Sequence, residues 1–487
     1  MKILLVEPES NSKAPNLGIL YVASAICRGP HDALLLDLNG VPLPDPVGRI
    51  VDIVAKENVD IVGLSLNDVN FQWSMDLAEK VKAATGKTLL GGGPQANSLG
   101  KAMLRDHSAL DYVLRGESDD SILDFLNFIA GEAAASSVPG LIYREHGTIK
   151  ENPTQVVTHL DRLSPPDYGL FGIEHLSGYM LLTSRGCPYK CTFCCRNTGT
   201  VWRPRSLDAC MDELAAAKAQ LGIKSFRIVD ASFNLREQRT IDFAKRLVER
   251  DLGLHWMVSG IRADRLTEAS IAAFKAADCS MLAIGIESID PQVFDQIDKG
   301  ETIEDILRAI RLCQKHDLEV GCYMIHGLPG DGYERSIHYA RELQALRPSY
   351  VMYNQAVPFT GTKLHAWVSE HGHLSPDYSW LNTRDVDHVA YHTDDFSEQE
   401  RIDSFKIIQT ITRVINFTKD DLENLARLQT EIRDNDVEYY DFHMRYIEET
   451  IKNSQEKNKI KQQHNEADTR RRQDYTGCMN VRTGAMI

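Results

Sequence analysis

No apolar run in this chain of 487 residues reaches the ~18 residues that carry a helix across a bilayer. A helical membrane span is therefore not expected. The first residues, MKILLVEPES, lack the longer apolar segment and small-residue cleavage site of a secretory leader. Cysteine is sparse for the length, ten in all. Six of the ten, Cys27, Cys210, Cys279, Cys313, Cys322 and Cys478, stand alone, so no disulfide framework is spelled out. Several of these fall in apolar helix or strand patterns, where a thiol behaves as a small hydrophobe. A reducing, cytoplasmic setting fits them. Positive charge is also short. The 54 Lys and Arg against 69 Asp and Glu leave a net charge of −15, which disfavours general binding to a phosphate backbone. No nucleic-acid partner is expected.

Hydrophobic residues make up 43% of the chain, enough for ordinary globular cores. Through residue 138, β-branched runs alternate with amphipathic stretches. KILLVEP, ALLLDLN, DIVGLSL, TLLGGG and DYVLRGE read as strands, each followed by a helical pattern. Five such units predict a doubly wound parallel sheet, with ligands bound beyond the carboxyl ends of its strands. Residues 139–172 read as a hairpin with a His-Gly turn, then a linker. Residues 173–365 hold six further strand–helix units, which predict a partial β/α barrel or a long open parallel sheet. Its strands end in the loops RGC, VDASFN, SGIRAD, GIES, HGLPGD and AVPFTGT. Residues 366–452 read as a helical carboxy-terminal region, and 453–487, poor in apolar residues, as a disordered tail.

The remaining four cysteines lie together in RGCPYKCTFCC, residues 185–195. Cys187, Cys191 and Cys194 are spaced C-x3-C-x2-C. Structural thiols, a zinc site completed by Cys195 or a histidine, and an iron–sulfur cluster are the three readings. Adjacent Cys194 and Cys195 tend to point apart, which works against one tetrahedral ion. Three thiolates on a four-iron cluster leave one iron open to a substrate.

Cys187, Cys191, Phe193 and Cys194, in the first strand–loop of a six-unit β/α domain, resemble the signature of radical S-adenosylmethionine (radical SAM) enzymes. The resemblance implies a 4Fe-4S cluster on Cys187, Cys191 and Cys194, with S-adenosylmethionine chelated at the open iron and cleaved to a 5′-deoxyadenosyl radical. It places Phe193 near the adenine. It implies a contact from Arg262 to the cofactor's carboxylate, where a bidentate guanidinium is suited, and one from Glu287 to ribose or amine. Asp230, Ser232 and Asn234 take the position of the family's amine-binding loop, which is usually richer in glycine and glutamate. HGLPGD matches the family's adenine-contact motif in part.

The order PNLGILYVASAI, DIVGLSL, GGGPQA, DYVLRGE, cluster loop, GIES, KGET, GLPGD, PFTGT resembles the radical SAM class with an amino-terminal cobalamin-binding domain. The first loop is not the G-x-G-x-x-G of a dinucleotide site. The D-x-H-x-x-G that supplies a lower axial histidine is also absent, so cobalamin is expected without a protein histidine below the cobalt. Asn67, Asn70, Gly92 and Gly93, in loops 66–70 and 91–95, are expected to line its face.

The resemblance implies methylation of an unactivated centre in a small biosynthetic intermediate, with an electron donor such as flavodoxin or ferredoxin. An oxidative cyclase or rearrangement enzyme of the same architecture is the alternative. A non-catalytic cobalamin or redox-sensing module is the alternative of another class. Tyr378, Trp380, His388 and His392 lie in a segment that could close over the site. No catalytic side chain is singled out.

Overall fold

Two parallel sheets organise the chain. The computed structural model describes residues 1–8, 16–38, 43–67, 70–176, 178–376 and 385–412. The chain divides into two units, Met1–Lys406 and Ile407–Ile487, and both sheets belong to the first.

The first sheet contains β1 (Lys2–Glu7), β2 (Asp32–Asp37), β3 (Ile61–Ser65), β4 (Thr88–Gly92) and β5 (Tyr112–Leu114), followed by β6 (Leu141–Glu145) and β7 (Thr148–Glu151). Its order is β2-β1-β3-β4-β5-β6-β7. The first five strands are parallel. The side chains of β1 alternate between faces: Leu4 and Val6 enter one core, Ile3 and Leu5 the other. Each such buried aliphatic contributes roughly 1.5–3 kcal/mol. Helices α1 (Leu17–Arg28), α2 (Pro46–Lys56), α3 (Phe71–Thr85), α4 (Pro94–Leu99), α5 (Lys101–Asp106) and α6 (Ser118–Ile129) make the crossovers. Asn16 caps α1, and Asp45 caps α2 ahead of a proline in its first turn. The chain runs from β1 outward to β2 on one side, then returns from β2 past β1 to β3 on the other. The crevice between β1 and β3 is therefore the topological switch point.

The sequence reading set the hairpin β6–β7 apart from the sheet as part of a connector. It instead pairs antiparallel onto β5. A three-residue β5 would otherwise leave a bare edge. The turn itself is as expected: His146 and Gly147 both take positive φ, 47° and 76°, the geometry of a two-residue hairpin loop.

The second sheet is parallel throughout and contains β8 (Gly178–Leu181), β11 (Ser225–Ile228), β12 (His255–Ile261), β13 (Cys279–Glu287), β14 (Glu319–His326) and β15 (Tyr350–Gln355), in that order. Between β8 and β11, the short strands β9 (Ser184–Arg185) and β10 (Arg203–Pro204) pair antiparallel. Trp256 anchors the core, stacked on Phe226 with centroids 5.9 Å apart and edge-on to Phe243 and Phe274. Capping boxes start two of the covering helices, Thr267 with Ser270 and Thr302 with Asp305. Three register shifts interrupt the ladders: one between Trp256 and Met257 near the start of β12, and two further on, before Ile261 and before Glu287. The last two lie at the carboxyl ends of strands, where bulges re-aim side chains.

Past residue 365, helices Lys363–His371 and Glu398–Thr412 flank a short antiparallel pair, His373–Leu374 with Tyr391–His392. His388 is exposed beside Asp385, and the His392 ring lies 4.8 Å from that of His373. Tyr378, Trp380 and all of the expected tail 453–487 lie outside the described residues. Among the described residues no helix is long and apolar enough to cross a membrane.

Candidate functional site

The cysteine loop is a long hairpin closed at its base by β9 and β10. Gly186 begins it with φ +85°, and a Cβ there would stand 2.0 Å from the Val201 carbonyl oxygen. Only glycine fits. The Cys187 N–H donates to the Gly199 carbonyl at 3.1 Å. At the tip, the Thr192 N–H donates to Ile297, and the Thr192 carbonyl accepts from Leu364. Cys187 and Cys191 are partly buried and Cys194 is exposed. Burial pushes the Cys191 thiol up to about 11, against the pull of Lys299; the neighbouring thiols of Cys194 and Cys187 add to the rise. Among the described residues no three ligating side chains close on one point where a single metal ion would sit. A four-iron cluster is itself several ångströms across, and its thiolates stand at its corners. Three thiols in one loop, close enough to repel each other as anions, form a donor set of that kind. Phe193 sits half-buried between the second and third cysteines.

The second sheet's other expected residues lie at or just past the ends of β11, β12 and β13. Asp230 ends β11 as a knot. It accepts from the Thr183 N–H at 2.7 Å and from the Thr183 and Ser184 hydroxyls at 2.6 Å. Asn234 exchanges two hydrogen bonds with the backbone of Arg262. Of the three polar side chains in this loop, Ser232 alone has a buried hydroxyl with no protein partner. Gly260, at φ +77°, makes room for the loop, since a Cβ there would meet the Asp230 carbonyl at 2.3 Å.

Arg262 is buried, and each of its three guanidinium nitrogens already has a protein acceptor. Nε donates to Asp264 at 2.9 Å, Nη1 to the Lys299 carbonyl at 2.8 Å and Nη2 to the Gly300 carbonyl at 2.9 Å. Its guanidinium lies 3.4 Å from the centroid of Tyr189, inside the cysteine loop. These bonds use three of the five guanidinium N–H groups and tie β12 to the Lys299–Gly300 backbone, while the ring contact reaches the cysteine loop.

Glu287 ends β13 in left-handed backbone, φ +68°. A Cβ at Gly285 would press within 2.6 Å of its carboxylate. Burial raises the Glu287 carboxyl, and Lys299 opposes the rise. Lys299 lies 3.5 Å from Glu287 and 2.8 Å from the buried Glu301. Burial works against its charge, but the two carboxylates outweigh it and hold the ammonium above its usual range. Strained backbone and a buried ion triad beside three thiols have the character of a functional site. Lys299, Glu301 and Tyr189 were given no role from sequence. The KGET motif at 299–302 was the available signal, read only as a landmark.

A cavity of ≈ 480 Å³ opens at the carboxyl ends of the first sheet. Leu5, Gly63, Leu90 and Leu114 line it from the sheet; Asn67, Gly92 and Gly93 line it from the loops; Leu182, Arg185, Asn197, Thr198 and Val229 line it from the second sheet and the cysteine hairpin. A side chain at Gly92 would project into open space, its nearest neighbour the Leu114 carbonyl at 3.9 Å. At Gly93, φ is +92° and a Cβ would strike the Leu66 carbonyl at 2.7 Å. The apolar floor and glycine rim form a cradle that a flat macrocycle with an apolar appendage fits. Asn70 does not line this cavity. It is buried and exchanges backbone–side-chain hydrogen bonds with Asn67, both at 3.3 Å. Behind the wall, Glu7 accepts from Asn16 Nδ2 at 2.9 Å, and burial pushes its carboxyl up to about 7.

A switch-point cavity thus shares a wall with the base of a three-thiol hairpin on a second parallel sheet. Residues 181–343 match the radical SAM superfamily model and residues 4–126 the B12 binding domain model. The chain belongs to the radical SAM enzymes that carry an amino-terminal B12-binding domain, and their cofactors are a 4Fe-4S cluster, S-adenosylmethionine and cobalamin. It is 28% identical over 384 residues to an uncharacterized methyltransferase of Pyrococcus horikoshii, covering 75% of this chain and 82% of that one. It is 23% identical to an anaerobic magnesium-protoporphyrin IX monomethyl ester cyclase of Rubrivivax gelatinosus, covering 69% and 64%. In fold it is similar to the radical SAM methyltransferase TsrM of Kitasatospora setae, solved with cobalamin and a 4Fe-4S cluster bound. That match has a TM-score of 0.66 at 19% identity and covers 76% of this chain and 78% of the other.

Proposed function

We propose that this enzyme transfers a methyl group to an unactivated centre of a small biosynthetic intermediate. One observation carries the reading: the cavity suited to cobalamin is walled on its far side by Arg185, Asn197 and Thr198, which belong to the cysteine hairpin. A substrate in that space lies within reach of both cofactors. When bound, the cluster and S-adenosylmethionine supply a radical and cobalamin supplies the methyl group.

The chain's own residues hold and shield. Cys187, Cys191 and Cys194 would hold the cluster, and Phe193 would border the adenine. Ser232, with its unspent hydroxyl, and the carboxylate of Glu287 are the groups left to meet the amine or ribose of S-adenosylmethionine. Asp230 and Arg262 fix the loops that present them. Gly92 and Gly93 admit the corrin edge, and Asn67 offers an amide beside it. Asn70 holds that loop in shape. The buried strand ends exclude water, which a radical site requires. An electron donor such as flavodoxin or ferredoxin would reduce the cluster.

The second reading is oxidative cyclisation, supported by the cyclase of Rubrivivax gelatinosus among the relatives. Anaerobic incubation of the reconstituted protein with hydroxocobalamin, a chemical reductant, methyl-labelled S-adenosylmethionine and a small-molecule extract separates the two. Label in a new product is the expected result; an oxidised or rearranged product without label gives the cyclase.

A further inference from the structure

Arg185 and Arg203 face each other across the base of the cysteine hairpin, and both are buried. Their acidic partners come from the first domain. Arg185 donates through Nη1 and Nη2 to the two carboxylate oxygens of Asp119, at 2.6 and 3.0 Å. Arg203 donates likewise to Glu117, at 2.8 and 2.6 Å. Glu117 and Asp119 lie at the start of α6, where carboxylates are favoured by the helix dipole. Glu117, Asp119 and Arg185 also line the cavity. On the other side, Arg203 Nη2 donates to the Thr198 carbonyl at 2.7 Å, and the Thr198 hydroxyl accepts from the Gly186 N–H at 3.2 Å. Arg185 stands two residues before Cys187. One set of hydrogen bonds therefore runs from the cavity wall to the root of the thiol loop.

Buried ion pairs are poor sources of net stability, and apolar residues of similar volume often replace them without loss. Two forked pairs side by side do fix orientation, because a guanidinium and a carboxylate meet in only a few geometries. We propose that Arg185–Asp119 and Arg203–Glu117 form a positioning seam that couples the cysteine loop to the cavity, so that filling one site changes affinity at the other. The proposal rests on the corrinoid reading of the cavity. Arg185 is a positioning residue in this scheme.

The test is an anaerobic absorbance titration with hydroxocobalamin, on protein with and without a reconstituted cluster. In the wild type the two dissociation constants should differ by roughly fivefold or more, as site-to-site coupling typically does. In R185M/D119L, which leaves no charge unpaired, iron uptake reports the fold; both residues line the cavity, so the absolute affinity for hydroxocobalamin shifts and the ratio is the readout. That ratio should fall to about one. R203M/E117Q, read the same way, tests the second pair and stands in should the first variant not fold. A wild-type ratio of one, or the wild-type ratio retained in the folded variants, overturns the seam. Hydroxocobalamin that fails to bind the wild type at all overturns the corrinoid reading, and the seam with it.

Discussion

Gly186 and Glu287 both hold backbone that L side chains avoid, and for opposite reasons. At Gly186 the fold needs the glycine. Alanine there meets the Val201 carbonyl at 2.0 Å and an unfavourable φ of +85°. G186A is expected to cost about 2 kcal/mol or more and to lower iron uptake, read by thermal melting and iron content after reconstitution. At Glu287 the fold accepts strain to present a carboxylate. Glycine would relieve the left-handed backbone while adding chain entropy to the unfolded state, two terms of about 1 kcal/mol that oppose each other. E287G should therefore melt within a few degrees of the wild type, yet bind S-adenosylmethionine about tenfold or more weakly. A large loss of stability with unchanged binding would make Glu287 a structural residue.

Glu7 gives a pH signature of its own. Its carboxyl is held at about 7 in the folded protein against 4.5 ordinarily. Between those values the unfolded chain gives up the proton and the folded chain keeps it. The stability Glu7 contributes is thus fully present below pH 4.5 and is lost as pH rises through 7. Relative to E7Q, the wild type should lose up to ~3 kcal/mol across this window, at about 1.4 kcal/mol per unit. Denaturant unfolding at several pH values reads it, and parallel curves for the two proteins would refute it.

At the scale of elements, the proposed binding residues gather at strand ends, and glycine there leaves the cavity open. Gly92 ends β4 with open cavity beyond it. G92L should fill that space, leave the melting temperature within a few degrees, and weaken hydroxocobalamin binding about tenfold or more. Unchanged affinity would mean the cavity holds something else. The elements themselves were legible in the sequence because buried parallel strands read as unbroken apolar runs between amphipathic helices. The cysteine loop was legible because its chemistry is local, three thiols within eight residues of chain. The pairing of β6–β7 with β5 was not legible, since an edge that needs covering leaves no mark in composition. Nor were the long-range bonds of Arg262. Its acceptors are the carbonyls of Lys299 and Gly300, 37 and 38 residues away, and a carbonyl has no letter in a sequence. For the same reason Glu117 and Asp119 passed unnoticed: their arginines lie 86 and 66 residues on.

For the whole molecule, the decisive feature is two separable cofactor sites sharing one space. The thiols stand on the second sheet and the glycine rim on the first, so loss of one cofactor should shift the affinity for the other without abolishing it. The most direct measurement follows 5′-deoxyadenosine release and hydroxocobalamin binding together, in anaerobically reconstituted wild type, C191A and G92L. The wild type should bind hydroxocobalamin before reduction and release 5′-deoxyadenosine after it. C191A should lose 5′-deoxyadenosine release and bind hydroxocobalamin as the cluster-free wild type does, and G92L should keep release and bind hydroxocobalamin about tenfold or more weakly. Release of 5′-deoxyadenosine that survives in C191A would contradict the assignment of the cluster to these three thiols.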